Sequence, residues 1–398
     1  MNFTVKYLFL FFFLVALISC RKFVPSENSN PGNLANYSNN NALSIGDAVS
    51  SLPSNPFPKA INDLPYYFNQ DGQGKYRGYS SDLKHPYLVD NQRYITSYKE
   101  CLKQGFQTIR ILVNNTGITD IQAVSVAKSL ILDAQTAGFK NIIITYHSEY
   151  YMGKNHDGPT HAYTYFWQPL LNSLPSTVSI SANVLQEWGS IGSSLDGTNY
   201  INEYTIAINK LASDPHIRYI LMDAPNYGTD DAGIIKYGTK ILSEYSKGGI
   251  YASKGYLNRL FFSFHSMDFN HPAFTNVSLN KDPFFNTTNL QNLIKNTSLT
   301  GHLVIGQIGT TYTGRILKAD AYTYGNPKSF NNLTALSTVV NLAKANNISI
   351  IGYSWSGDGS LQIGYKGGDT NMNGYHPTFT SKYSNTKIYL PYLQEATY

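Results

Sequence analysis

The stretch His302-Leu303-Val304-Ile305-Gly306-Gln307-Ile308-Gly309 decides how the chain is read. An apolar run ends among glycines with one polar side chain between them. That is the pattern of a buried parallel strand, apolar on both faces, that delivers Gln307 to its C-terminal tip. Upstream, Val178-Ser179-Ile180-Ser181-Ala182-Asn183-Val184-Leu185-Gln186-Glu187-Trp188-Gly189 has the same character. It delivers Glu187, flanked by an aromatic. One strand thus offers an amide and the other a carboxyl.

Working outward, strands and helices alternate. Thr108–Val113 reads as a strand. Asp120–Ala137 follows as a helix, with Val124, Val126, Ala127, Leu130, Ile131 and Ala134 at helical spacing and Gly138 as its stop. Asn141–His147 is again a strand. The unit recurs about every 35 residues, as βα units do. Helices are expected at Tyr94–Gln104, Tyr163–Leu174, Tyr200–Ala212, Ile234–Tyr245, Thr288–Lys295 and Ser329–Asn346. Strands are expected at Val178–Gln186, Ile217–Asp223, Leu260–His265, Leu303–Gly306 and Ile348–Trp355. With Tyr76–Tyr79 as the first strand the count reaches eight. Eight successive units imply an α/β fold, a closed (β/α)8 TIM barrel with its site at the C-terminal strand tips. An open doubly wound sheet would need a Gly-rich phosphate loop after an early strand, and there is none.

The barrel is expected over residues 71–398. Residues 20–70 are rich in Ser, Asn, Pro and Gly without periodicity and read as a tether, though Pro56–Tyr67 is placed to pack on the segment after it. Before the tether, Tyr7–Ile18 is almost wholly apolar and leads into Leu17-Ile18-Ser19-Cys20. The run is too short to span a membrane as a helix. Residues 1–19 have the form of a bacterial lipoprotein signal cut before Cys20, whose thiol then carries lipid. An exported protein anchored in a membrane is expected, in the periplasm or at the cell surface. The only other cysteine is Cys101, so a lipidated Cys20 leaves it no partner, and it reads as a small buried apolar group. The net charge of +5 comes without a basic run, which argues against a nucleic-acid partner. No cofactor or metal is expected, and a monomer is.

The strand tips carry Arg110, His147, Gln186-Glu187-Trp188, Asp223, His265, Gln307 and Trp355. Polar groups there suit a site, whereas in mid-strand they would carry a burial cost. Each also has a plainer reading. Arg110 can tie the barrel rim together, and either histidine can be a satisfied core group. Glu187 stands beside Trp188, an apolar neighbour expected to raise its pKa toward that of a general acid. Glu149, Asp268 and Asp358 lie in loops just past the tips, where most carboxylates are only solvated.

With these residues in view, the stretch from about 76 to 370 resembles glycoside hydrolase family 5, retaining (β/α)8 enzymes that include endo-β-mannanases and β-1,4-glucanases. It looks closest to the bacterial mannanase-like members. Gly105-Phe106-Gln107-Thr108-Ile109-Arg110-Ile111 resembles the strand-two motif whose arginine supports the nucleophile. His147 and His265 match the strand-three and strand-six histidines. Ala182–Gly189 resembles the strand-four motif and puts Glu187 on the acid/base. Leu303–Gly309 resembles the strand-seven motif that carries the nucleophile. Ser354-Trp355-Ser356-Gly357 resembles the strand-eight motif whose tryptophan floors the sugar subsite.

Three departures cluster on one task. Gln307 stands where the family has the nucleophilic Glu, Gln186 where it has the Asn that grips the sugar 2-hydroxyl, and Met267 where it has a tyrosine that bonds the nucleophile. A neutral amide is a poor nucleophile, so the covalent step should fail. Asp223-Ala224-Pro225 as a degraded Asn-Glu-Pro leaves Glu187-Trp188 unexplained and shifts the strand count, so it is set aside. Three readings remain. One is a carbohydrate-recognising barrel for β-linked mannan or glucan that lost retaining hydrolysis. Another is an active glycosidase, with Glu187 as acid and Glu149, Asp223 or Asp268 activating water from about 6.5–9.5 Å away. The third is a structural surface lipoprotein.

Overall fold

The structure is a computed structural model. It describes residues 55–63, 91–115, 119–148, 158–189, 197–247, 255–267, 287–309, 316–318, 321–323, 333–353, 355 and 393–398. Eight parallel strands close into a barrel: β1 (Ala60–Asp63), β2 (Thr108–Asn114), β3 (Asn141–His147), β4 (Ile180–Asn183), β5 (Ile217–Asp223), β6 (Leu260–Met267), β7 (Leu303–Gly309) and β10 (Ser349–Gly352). A separate antiparallel pair, β8 (Ile316–Lys318) and β9 (Ala321–Thr323), lies in the chain between β7 and β10. The expected (β/α)8 barrel is what forms.

Its first strand is not where the sequence pattern placed it. Tyr76–Tyr79 lies outside the described residues, and the barrel opens instead with β1, inside the segment read as tether. All four residues of Ala-Ile-Asn-Asp are buried. β1 pairs with β2 from Ala60↔Thr108 to Asp63↔Ile111 and with β10 at Ala60↔Ile351 and Ile61↔Gly352. Only Ala60 and Ile61 are apolar, too short a run to announce a strand. Asn62 and Asp63 are polar because they already belong to the barrel's upper, chemical end. The signal segment and Cys20 lie outside the described residues.

Helices cover the outside. After β1 comes α1 (Asn91–Lys103), then α2 (Asp120–Ala137) after β2. α2 starts at Thr119 with a reciprocal capping box to Gln122 and stops at Gly138, whose φ of 118° needs a residue without a side chain. Between β3 and β4, α3 (Gly158–Ala162) passes through a π turn at Tyr163–Trp167 into α4 (Gln168–Ser173). α5 (Gly197–Ala212) follows β4. Then come α6 (Pro225–Gly228), α7 (Asp231–Gly233), a π turn at Ile234–Gly238, and α8 (Thr239–Ser246). α9 (Thr287–Lys295) follows β6, and α10 (Leu333–Ala345) leads into β10.

Two apolar clusters divide the core. Phe57, Ala60, Ile143, Leu221, Phe261, Val304 and Ile351 fill the inside of the barrel. Their strand neighbours Ile142, Ile144, Leu260, Phe262, Leu303 and Ile305 face the helices. Strands buried on both faces therefore read as continuous apolar runs. Two residues further along the same inward faces stand Thr145, Asp223 and Ser263, and beyond them His147 and His265. The inside of the barrel thus changes from apolar at its base to polar at its C-terminal end.

Candidate functional site

Arg110 is the hub of this polar end. It is fully buried, and its guanidinium reaches four other strands across the barrel. Nη1 donates to Asn62 Oδ1 at 2.8 Å on β1 and to the Gly306 carbonyl at 3.2 Å on β7. Nη2 donates to Asn183 Oδ1 at 2.6 Å on β4 and lies 3.4 Å from Asp223 Oδ2 on β5. Asn62 Nδ2 in turn bonds the carbonyls of Gly306 and Gly352, both at 3.0 Å, tying β1 to β7 and β10. Asn183 Nδ2 donates to Asp223 Oδ1 at 3.1 Å. Fully buried ions need partners of this kind, because each leaves water at a cost of several kcal/mol, on the order of its pairing energy.

β4 ends at Asn183, earlier than the expected Gln186. The chain then turns, with Gln186 N–H bonded to the Tyr146 carbonyl and Trp167 Nε1 capping the Val184 carbonyl at 2.8 Å. The turn puts Glu187 at φ 56°, a left-handed conformation unusual outside glycine. Its N–H donates to Asp223 Oδ2 at 3.2 Å, and its Oε1 lies 3.1 Å from His265 Nδ1 and 3.3 Å from Gln186 Nε2. His265 also approaches Asp223 through Nε2 at 3.4 Å, close enough for an ion pair but not aligned as a hydrogen bond.

Gln307 reaches the site through an irregularity in β7. The register with β6 runs Phe264↔Ile305 and then His265↔Gln307, so Gly306 is skipped. A Cβ at Gly306 would lie 1.9 Å from Ser263 Oγ, so any larger residue would have to displace the Ser263 hydroxyl. Gly228, at φ 77° on α6, packs on His265 as tightly, since a Cβ would lie 2.3 Å from Nδ1.

Charge follows geometry. Burial alone would push the Asp223 carboxyl up, but His265 and Arg110 hold it down at about 2. Burial works against a charged His265, yet Asp223 first and Glu187 second raise it to about 9. Glu187 is also pushed up by burial, and the His265 hydrogen bond and charge overcome this, leaving it below the usual carboxylate value. Burial holds His147 below its ordinary value despite the pull of Glu187. At neutral pH the site holds two cations, Arg110 and His265, and two anions, Asp223 and Glu187.

The fold therefore brings Arg110, His147, Gln186, Glu187, Asp223, His265 and Gln307 to one end, with Met267 closing β6 opposite Gly309. Three expectations are corrected. The Glu187 pKa is lowered, not raised as its place beside Trp188 suggests, because His265 outweighs burial, and the Trp188 side chain turns away into the core. Its ring is fully buried, stacked on Tyr200 at 5.7 Å and edge-on to Tyr204, with Gly158 against its Nε1. Trp355 is also buried, donating from Nε1 to Ser97 Oγ at 2.9 Å and lying edge-on to Phe106. Asp223 cannot activate a water, because it is fully buried and both oxygens are held by protein groups. Glu149, Asp268 and Asp358 lie outside the described residues.

Asn62, Asn183, Gly228 and Gly306 were not singled out from sequence. Asn183 had a signal, a polar residue at an inward position of an apolar strand. The two glycines had none, because what they avoid is a side chain from another strand. Among the described residues, no group of three or more His, Cys, Asp or Glu has metal-holding geometry.

No family model and no curated protein matches the chain. Solved structures do. A glycoside hydrolase 5 lichenase from Caldicellulosiruptor sp. F32 is 12% identical, with a TM-score of 0.54 over 92% of this chain and 98% of that one. The endoglucanase catalytic domain of Thermobifida fusca is 10% identical, with a TM-score of 0.51 over 85% and 91%. The mannanase catalytic domain of Streptomyces sp. SirexAA-E is 17% identical, with a TM-score of 0.50 over 86% and 87%. The chain has the barrel fold of these glycoside hydrolases. Its chemistry has to be argued from its own residues.

Proposed function

We propose that this protein is an exported carbohydrate-recognising barrel that binds β-1,4-linked mannan or glucan and does not carry out retaining hydrolysis. The observation that carries the reading is Gln307, buried at the β7 tip and paired in register with His265. It stands where the family the sequence resembles has its nucleophile, and a neutral amide forms no glycosyl-enzyme. Glu187 supports the reading a second way. Held ionised by His265, it accepts hydrogen bonds from sugar hydroxyls but has no proton for a leaving group at neutral pH.

Binding fits the remaining groups. Gln186 Oε1 and His147 Nδ1 are buried without an aligned hydrogen bond, although the two side chains lie near enough to act on each other, and hydroxyl groups would satisfy both. Trp188 and Trp355 are both packed away, so among the described residues the groups placed to meet a ligand are polar. The Caldicellulosiruptor lichenase was solved with cellotetraose as a Glu-to-Gln mutant, so a barrel of this fold with an amide in place of a carboxyl can hold an oligosaccharide. Calorimetry with β-1,4-mannohexaose and cellohexaose tests the proposal. Saturable binding of one of them is expected, and binding of neither would contradict it.

The place of action is part of the same proposal. Lipid on Cys20 would hold the barrel at a membrane outside the cytoplasm, several acyl chains on one cysteine giving firm anchorage where one is marginal. Mass spectrometry of the mature N-terminus should find acylated Cys20 as the first residue. An unmodified Cys20 would remove the anchor.

A further inference from the structure

Asp223 is sealed from solvent, yet the site's charged groups meet on it. Oδ2 accepts the Glu187 N–H at 3.2 Å and lies 3.4 Å from both Arg110 Nη2 and His265 Nε2. Oδ1 accepts from Asn183 at 3.1 Å. The far nitrogen of His265 is 3.1 Å from Glu187 Oε1. Asp223 therefore reaches Glu187 twice, once through its backbone and once across the imidazole ring.

We propose that Asp223 is the positioning residue of this site, fixing the left-handed backbone of Glu187 directly and its carboxylate through the His265 ring. The proposal rests on Glu187 being the ligand-facing group of the carbohydrate site. A non-glycine residue keeps a left-handed φ only where its surroundings hold it, and a carboxylate on the N–H is a strong hold. Gly228 and Gly306 leave the ring the place it occupies, since a Cβ at Gly228 would lie 2.3 Å from Nδ1 and one at Gly306 would lie 3.3 Å from Cδ2. Arg110, fastened to Asn62, Asn183 and Gly306, keeps Asp223 from following His265.

The charged groups around His265 come from three directions. Asp223 faces it from β5 and Glu187 from the turn after β4, while Arg110 acts from β2 through Asp223. His147 on β3 acts on Glu187, and Gln307, its neighbour on β7, is neutral. Of these, Asp223 contributes most to keeping the ring protonated, against the effect of burial. A histidine so placed remains an imidazolium through neutral pH, and Glu187 keeps its counter-ion.

NMR titration of the imidazole, assigned by the signal lost in His265→Gln, reads this without any ligand. In the wild type the midpoint should lie near 9. In Asp223→Asn it should fall by more than about one unit, toward the ordinary histidine value. A wild-type midpoint at or below 6.5, or no change in Asp223→Asn, would overturn the proposal. If Asp223→Asn does not fold, Glu187→Gln decides. With Asp223 intact the midpoint should stay at least about one unit above the ordinary value, and a fall to that value would assign the charge to Glu187 instead. Oligosaccharide affinity gives a second readout. It should be flat from about pH 6.5 to about pH 8 in the wild type. In Asp223→Asn it should be at least about tenfold weaker and pH-dependent in that range. A purely structural role would lower stability and leave the midpoint alone. If the wild type binds no oligosaccharide, the functional reading fails while the titration still judges Asp223.

Discussion

Arg110 compensates the buried charge of Asp223, and removing it exposes what the pair is worth. Arg110→Met should destabilise the protein by about 3–5 kcal/mol in chemical denaturation, because it leaves Asp223 buried without its fixed cation. Trp188→Ala should cost a similar amount, about 3–5 kcal/mol, since a large ring leaves a cavity among Tyr200, Tyr204 and Gly158. Its effect on oligosaccharide affinity should be small, which calorimetry on the folded fraction would show. A strong affinity loss with unchanged stability would mean that the ring faces ligand after all. The contrast shows what a residue-level reading of sequence can reach. Arg110, Glu187, His265 and Gln307 were legible because polar groups at the ends of apolar runs stand out. The direction of the Trp188 ring was not, because adjacency in sequence does not say which side of a turn a side chain takes.

At the scale of elements, the seventh strand works because it is imperfect. Gly306 lets β7 slip one residue against β6 and brings Gln307 level with His265. Gly306→Ala should cost about 1–3 kcal/mol by overpacking against Ser263 and should displace Gln307. Thermal melts and the His265 ring signal would report the two effects separately. An alanine variant with wild-type stability would mean that the strand needs no glycine. The strand itself was plain in sequence, as were β2, β3, β5 and β6, because each is apolar on both faces. β1 was not, because two of its four residues serve the site rather than the core. The end of β4 was not either, because Val184-Leu185 continues the apolar run while packing into a turn.

The whole barrel closes through short β1, and the last residues hold that seam. Leu393 and Thr397 are fully buried, and Leu393 packs against Gly352 of β10. The Tyr398 carbonyl accepts from Lys59 N–H at 3.2 Å and from Asn55 Nδ2 at 2.6 Å, while its hydroxyl donates to the Ile348 carbonyl at 3.0 Å. Deleting residues 393–398 should lower stability by at least about 2 kcal/mol from Leu393 burial alone, visible as a reduced Tm. An unchanged Tm would show that the seam holds itself.

The charge network also sets a pH window for the molecule. Asp223 has a folded pKa of about 2 against 3.8, so its contribution is present above 3.8 and lost as pH falls through about 2. His265 has a folded value of about 9 against 6.5, so its contribution is complete below 6.5 and lost as pH rises through about 9. Stability from this network should therefore be greatest between about pH 4 and about pH 6.5 in denaturant titrations. A maximum near pH 9 would contradict the charge states assigned to the site.

One experiment bears most directly on the central claim that this barrel binds a β-linked glycan without cleaving it by retention. Wild-type protein is mixed with β-1,4-mannohexaose or cellohexaose at neutral pH, and the anomeric proton signals are followed by NMR. The account predicts saturable line broadening of one of the two oligosaccharides and no new reducing-end signals over the time course. Shorter products appearing first as the β anomer would show retention, which requires a nucleophile, and would contradict the role given to Gln307.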